Sequence, residues 1–135
     1  MDMTIGVALS NTPAGDAALR AAVQEAVLRG QPLAVLHVVD TSEHAADGAL
    51  NASVSETVRE RLDAAGAPEG LSWELVTGPT RGSLPEALLE LADQAAIDLM
   101  VIGSRKRSAV GKLLMGSTVQ RVLLDASVPV LVTKA

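Results

Sequence analysis

The chain has no cysteine, no phenylalanine and no tyrosine, and a single tryptophan, Trp73. Without cysteine there is no disulfide, no thiolate nucleophile and no cysteine-based zinc site. With one aromatic side chain, the core has to be built from Val, Leu, Ile and Ala. Positive charge is also scarce: 11 Lys and Arg stand against 16 Asp and Glu, a net charge of −5. An acidic chain with almost no stacking surface is a poor nucleic-acid binder, since that function draws on a basic face and aromatic platforms. No apolar run approaches the ~18 residues of a membrane span. The opening Met1-Asp2-Met3-Thr4 lacks the positive region of a signal peptide. A cytoplasmic protein, away from membrane and nucleic acid, is the expectation.

Apolar residues make up 48% of the 135 positions. That length suits one domain over 1–135, large enough to bury about 70% of the surface its unfolded chain exposes. The hydrophobic pattern alternates in type along the chain. Thr4–Leu9 and Leu33–Val39 are short apolar runs of strand length. Between them Ala18, Ala21, Ala22, Ala26 and Val27 recur at helical spacing, with Gly30 as the stop. A loop over Asp40–Gly48 leads to a helix over Ala49–Ala65, closed by Gly66 and Pro68, with Glu56, Glu60 and Asp63 on its solvated face. Leu71–Val76 alternates, with Leu71, Trp73 and Leu75 on one side, and reads as a strand near a sheet edge. A loop over Gly78–Gly82 follows. Ser83, with Glu86 three residues on and Pro85 between, opens a helix to Ala96. Asp98–Ile102 is a buried strand, Gly116–Asp125 a helix with Val119, Val122 and Leu123 inward, and Pro129–Thr133 the last strand. The order β-α-β-α-β-α-β-α-β predicts a five-stranded parallel sheet with helices on both faces.

In such a sheet ligands bind outside the carboxyl ends of the strands. Those ends fall at Leu9-Ser10, Val39-Asp40, Thr77-Gly78 and Ile102-Gly103. The last carries the strongest signal. Gly103 suits a tight turn. After twelve residues Gly116-Ser117-Thr118 opens a helix, whose free N–H groups and partial positive charge attract anions. Between the glycines lie Arg105, Lys106, Arg107 and Lys112, four of the 11 basic residues. Together they describe a phosphate cradle; a plain turn glycine, an ordinary helix cap and a solvated basic loop describe the same residues. No Gly-x-x-x-x-Gly-Lys-[Ser/Thr], Gly-x-Gly-x-x-Gly or Gly-x-Ser-x-Gly occurs. His37 reads as a core or edge residue, His44 as part of a polar loop, Trp73 as packing, and Met100 and Met115 as filler. No histidine and carboxylate stand at metal-ligand spacing.

The segment Ile102–Thr118, with Val119-Gln120-Arg121-Val122-Leu123 and Val128-Pro129-Val130-Leu131-Val132 after it, resembles the C-terminal signature of the universal stress protein family, Gly-x2-Gly-x9-Gly-[Ser/Thr]. Gly103, Gly116 and Ser117 stand at the matching separations, and the resemblance extends through VALSNTPAGDAALRAA, LHVVD and ALLELADQAAIDLMVIGS. It implies a Rossmann-like sheet, of the kind found in adenine nucleotide alpha hydrolases, in the strand order 3-2-1-4-5. It also implies ATP as ligand, with a magnesium ion accompanying it. Adenine and ribose would lie against Ala8, Leu9, Ser10 and Val38. The triphosphate would lie between Ile102-Gly103 and Gly116-Ser117-Thr118, near Arg105, Lys106 or Lys112. Two positions depart from the family pattern. Lys106 replaces the second glycine of the motif, and Ser10 stands where nucleotide binders carry Asp.

These departures separate two expectations: a nucleotide-binding regulator of a stress response, and a dimeric protein–protein module of the same fold without nucleotide. An adenylating enzyme is disfavoured, because no Ser-Gly-Gly loop follows the first strand. No residue presents itself as the nucleophile or base that phosphoryl transfer requires. The last strand is apolar on both faces, and the resemblance implies that it pairs across a twofold axis, giving a homodimer through Val128–Thr133.

Overall fold

The computed structural model describes residues 3–39, 48–80, 82–104 and 116–134, with the backbone alone at 48–52. The loop expected at 40–47 and the basic segment with Arg105, Lys106, Arg107 and Lys112 lie outside the described residues, as do His44 and Met115.

The elements follow the expected alternation: β1 (Ile5–Ala8), α1 (Pro13–Arg29), β2 (Leu33–Val39), α2 (Gly48–Ala64), β3 (Trp73–Pro79), α3 (Leu84–Gln94), β4 (Leu99–Ser104), α4 (Ser117–Asp125) and β5 (Val130–Lys134). All strand pairs are parallel, in the order β3-β2-β1-β4-β5. The chain starts in the middle strand, builds outward to β3, and then crosses to β4 and β5 on the other side of β1. The order therefore reverses between β1 and β4.

Local chemistry sets the helix ends. Thr12 caps α1, its hydroxyl accepting from the Gly15 amide, and Pro13 occupies the first turn, where a missing N–H costs nothing. Gly30 ends α1 in the left-handed region at φ 64°. Ser83 caps α3 through the Glu86 amide, as its spacing predicted.

The core lies in two layers. Ile5, Val7, Leu19, Leu33, Val35, Val58, Leu62 and Val101 pack between the sheet and the α1/α2 side. Leu36, Leu88, Leu91, Met100, Ile102, Val119 and Val122 pack on the α3/α4 side. Alternation along each strand sends successive side chains to opposite layers. The inner strands are covered on both faces, which is why β1 and β2 read as near-continuous apolar runs. The face of α1 turned to the sheet is mostly small: Gly15, Ala17, Ala18, Ala22 and Ala26. Small residues bring the helix axis close to β1, β4 and β5, the strands it crosses. No helix among the described residues is long and apolar enough to cross a membrane.

Four expectations are corrected. Gly78 and Pro79 belong to β3, not to a loop. Gly78 leaves room for Leu91, whose Cδ2 would stand 2.7 Å from an added Cβ. Thr80 donates to the Val39 carbonyl, so the alternate residue Pro79 turns its nitrogen to the open edge, where no ladder bond is lost. The fourth strand runs past Ile102 to Ser104, and Gly103 is therefore an internal strand residue, not a turn. Val27, in the apolar series expected for α1, and Leu123, expected inward, are 50% and 40% exposed; Ala18, Ala22, Ala26, Val119 and Val122 of the same series are buried, joined by Leu19 and Val23. Gly48, expected in a loop, already belongs to α2.

Candidate functional site

A cleft of about 760 Å³ opens at the carboxyl ends of β1, β2 and β4, at the point where strand order reverses. Its size falls in the range of small-molecule sites, roughly 300–1,000 Å³. Nine of the residues singled out in the sequence line it: Ala8, Leu9, Ser10, Val38, Ile102, Gly103, Gly116, Ser117 and Thr118. The other three, Arg105, Lys106 and Lys112, lie outside the described residues.

Each wall has a local cause. Ala8-Leu9-Ser10 is the end of β1 and the turn into α1, held to β2 by the Leu9 amide donating to the Leu36 carbonyl. The Ser10 hydroxyl sits 2.8 Å from that of the cap residue Thr12. Arg61 of α2 donates to the Ser10 carbonyl at 2.8 Å and to Asp16 Oδ1 at 2.9 Å. The Arg61 side chain is 19% exposed and that of Asp16 56%, so this latch ties the rim of the cleft to α2 at the protein surface. Where nucleotide binders of the resembled family place an acid, this chain has a serine engaged with its own helix cap.

Gly103 and Gly116 differ in what they do. A Cβ on Gly103 would run into the carbonyl of Ala14 in the first turn of α1. The missing side chain is what lets that helix start lie against β4. A Cβ on Gly116 would meet nothing within 4 Å, and its φ of −65° and ψ of 161° suit any residue. Nothing in the described fold requires glycine there; what the missing side chain leaves is open space in front of α4. That helix starts at Gly116 with no side-chain cap, so its first N–H groups face the cleft without one.

Seven lining residues were not singled out in the sequence: Thr12, Pro13, Ala14, Leu84, Leu88, Ser104 and Val119. The Thr-Pro pair marked a turn, and Leu84 with Leu88 has helical spacing, but no local signal says which helix start covers which strand end. None of the described lining residues carries a charge. Among the described residues no cluster of three or more His, Asp or Glu could hold a metal ion. These residues do not fit a protein-ligated magnesium site. His37 and Trp73 lie outside the lining; Trp73 packs on the α1/α2 core layer.

A five-stranded parallel sheet in this order, with helices on both faces, a cleft at its switch point and an uncapped glycine-led helix beside it, defines the class of doubly wound α/β proteins. The chain belongs to the universal stress protein family, whose model matches residues 1–134. A universal stress protein of Mycolicibacterium smegmatis is 33% identical over 130 residues, covering 96% of each chain. Two solved structures share the fold at 24% identity. One is the universal stress protein from Archaeoglobus fulgidus in complex with dAMP (TM-score 0.67, 96% of each chain). The other is a universal stress protein in complex with cAMP (TM-score 0.69, 98% of this chain and 97% of that one).

Proposed function

We propose that this protein binds an adenine nucleotide in the switch-point cleft and acts as a cytoplasmic regulator in a stress response. The observation that carries the reading is the start of α4, with a glycine the fold does not require, no cap, and N–H groups facing the cleft. Such a terminus attracts a phosphate. The apolar side chains of Ala8, Leu9, Val38 and Ile102 at the strand ends suit a base and sugar. The family neighbours in complex with dAMP and cAMP support adenine as the base. ATP is the extended form of this ligand, its further phosphates running toward the segment that carries Arg105, Lys106 and Lys112. A cation accompanying it would be held by phosphate oxygens and water, since the described lining offers no carboxylate. The reading stops at binding, because no base for phosphoryl transfer stands among the described lining residues.

Calorimetric titration with AMP and ATP, with and without magnesium, tests this, using Gly116→Asp as control. Micromolar binding that the control loses is the expected result. No heat and no thermal shift at millimolar nucleotide would leave a dimeric interaction module as the better account.

We also infer a homodimer through Val128–Thr133. β5 is an edge strand whose Val130, Leu131, Val132 and Thr133 stay only half-buried in the single chain, and an open apolar edge calls for a partner. Light scattering at micromolar concentration should give twice the chain mass; a monomer there would count against the pairing.

A further inference from the structure

Ser104 closes β4 at the wall of the cleft. It is the one buried polar residue among the described residues, 1% exposed, and its Oγ has no hydrogen-bond partner. A hydroxyl held in this way has given up water and gained nothing in exchange. For the fold alone, alanine would serve better at this position.

The direction in which Ser104 faces follows from the strand. Gly103 turns toward α1, where Ala14 lies against it. Its neighbour Ser104 therefore turns the other way, with Ile102, toward the layer that holds Val119 and Val132. That is the layer of α4, and Ser104, Gly116 and Ser117 line the same cleft. A buried donor without an acceptor and a helix start without a cap thus meet one volume. One kind of group satisfies both: an oxyanion with several acceptor oxygens. The second orphaned hydroxyl, Thr133 Oγ1, is different. Thr133 is the register partner of Gly103, on the α1 side, and does not line the cleft.

We propose that the Ser104 hydroxyl donates to the ligand's phosphate and makes the cleft discriminate a nucleoside phosphate from the free nucleoside. This rests on the nucleotide reading above and assigns a role to a residue outside the set that the family resemblance implies.

The test is calorimetric titration of the wild-type protein and Ser104→Ala with AMP and with adenosine, beside a thermal melt of each without ligand. A hydrogen bond to a charged acceptor is worth roughly tenfold or more in affinity. Ser104→Ala should lose about that factor for AMP, keep its affinity for adenosine, and melt about 3 °C higher once the unpaired hydroxyl is gone. Equal AMP affinity in both proteins, an equal loss for AMP and adenosine, or a lower melting temperature in the variant would overturn the role of Ser104 while leaving the nucleotide site standing. A wild-type protein that binds neither compound would overturn both readings.

Discussion

Replacing Gly103 by alanine is the sharpest test of how this sheet and its first helix are joined. The added methyl would lie on the Ala14 carbonyl, with Ala14 Cα also only 3.1 Å away. Both obstacles are backbone, so no rotamer change relieves them; the first turn of α1 must draw back from β4. Overpacking in a dense interior costs about 1–3 kcal/mol, and an immovable neighbour places this case near 3. Unfolding entropy of about 2.1 cal/mol/K per residue over 135 residues gives roughly 0.28 kcal/mol/K. The melting temperature should therefore fall by about 10 °C, read by circular dichroism. Gly116→Ser is the matched contrast. Its side chain enters open space at an extended cap position and can accept from the first amides of α4. It should raise stability by a few tenths of a kcal/mol, about 1 °C, while lowering affinity for AMP by occupying the phosphate's place. A Gly103→Ala protein that melts with the wild type would refute the packing argument. If that variant also failed to bind AMP, Gly103 would be a glycine of ligand approach after all.

Three further outcomes follow from the same geometry. Arg61→Gln breaks the bond to the Ser10 carbonyl and the pair with half-exposed Asp16, both at the surface, and should cost about 0.5–1 kcal/mol; a melting temperature within 1 °C of wild type would show the latch to be slack. Met100→Ala, at a fully buried position in the α3/α4 layer, should cost about 2–5 kcal/mol, whereas Leu124→Ser, at a position 82% exposed, should stay within about 0.5 kcal/mol; comparable denaturant midpoints for the two would contradict the assigned core. The Arg121 guanidinium is held above its ordinary value by its hydrogen bond to Asp125. A raised value means that any stabilisation is complete below the ordinary value and is lost as pH rises from there through the raised one, so Arg121→Gln should leave the pH profile of stability unchanged across the neutral range, as a pH-scanned thermal melt would show.

Whatever depends on residues close together in the chain was legible before the fold. The cap at Ser83, the stop at Gly30, the buried run Leu33–Val39 and the alternating Leu71, Trp73 and Leu75 each announce a local backbone state, because propensity and period act over a few residues. Once nine elements alternate in type, right-handed crossovers leave few arrangements, so the parallel sheet and a cleft at its switch point could be foreseen. The glycine spacing around Gly103 and Gly116 pointed to the end of the sheet where the cleft opens.

Tertiary contacts decided the rest. Gly78-Pro79 has the composition of a turn, yet it extends β3, because Leu91 fills the space beside the glycine and the open edge excuses the missing N–H. Val27 and Leu123 fit helical stripes but face outward, since the direction of each stripe is set by where the helix crosses the sheet. Gly103 and Gly116 look alike in sequence, and only the approach of α1 separates a glycine required by packing from one the fold leaves free. Ser104 carries no signal of its own in the sequence. Its isolation is a property of the surroundings, because a hydroxyl becomes costly only when strands and helices from distant parts of the chain shut out water without supplying an acceptor. The sequence determined the elements and their order; packing determined which side chains meet, because that depends on distances between segments that no local pattern encodes.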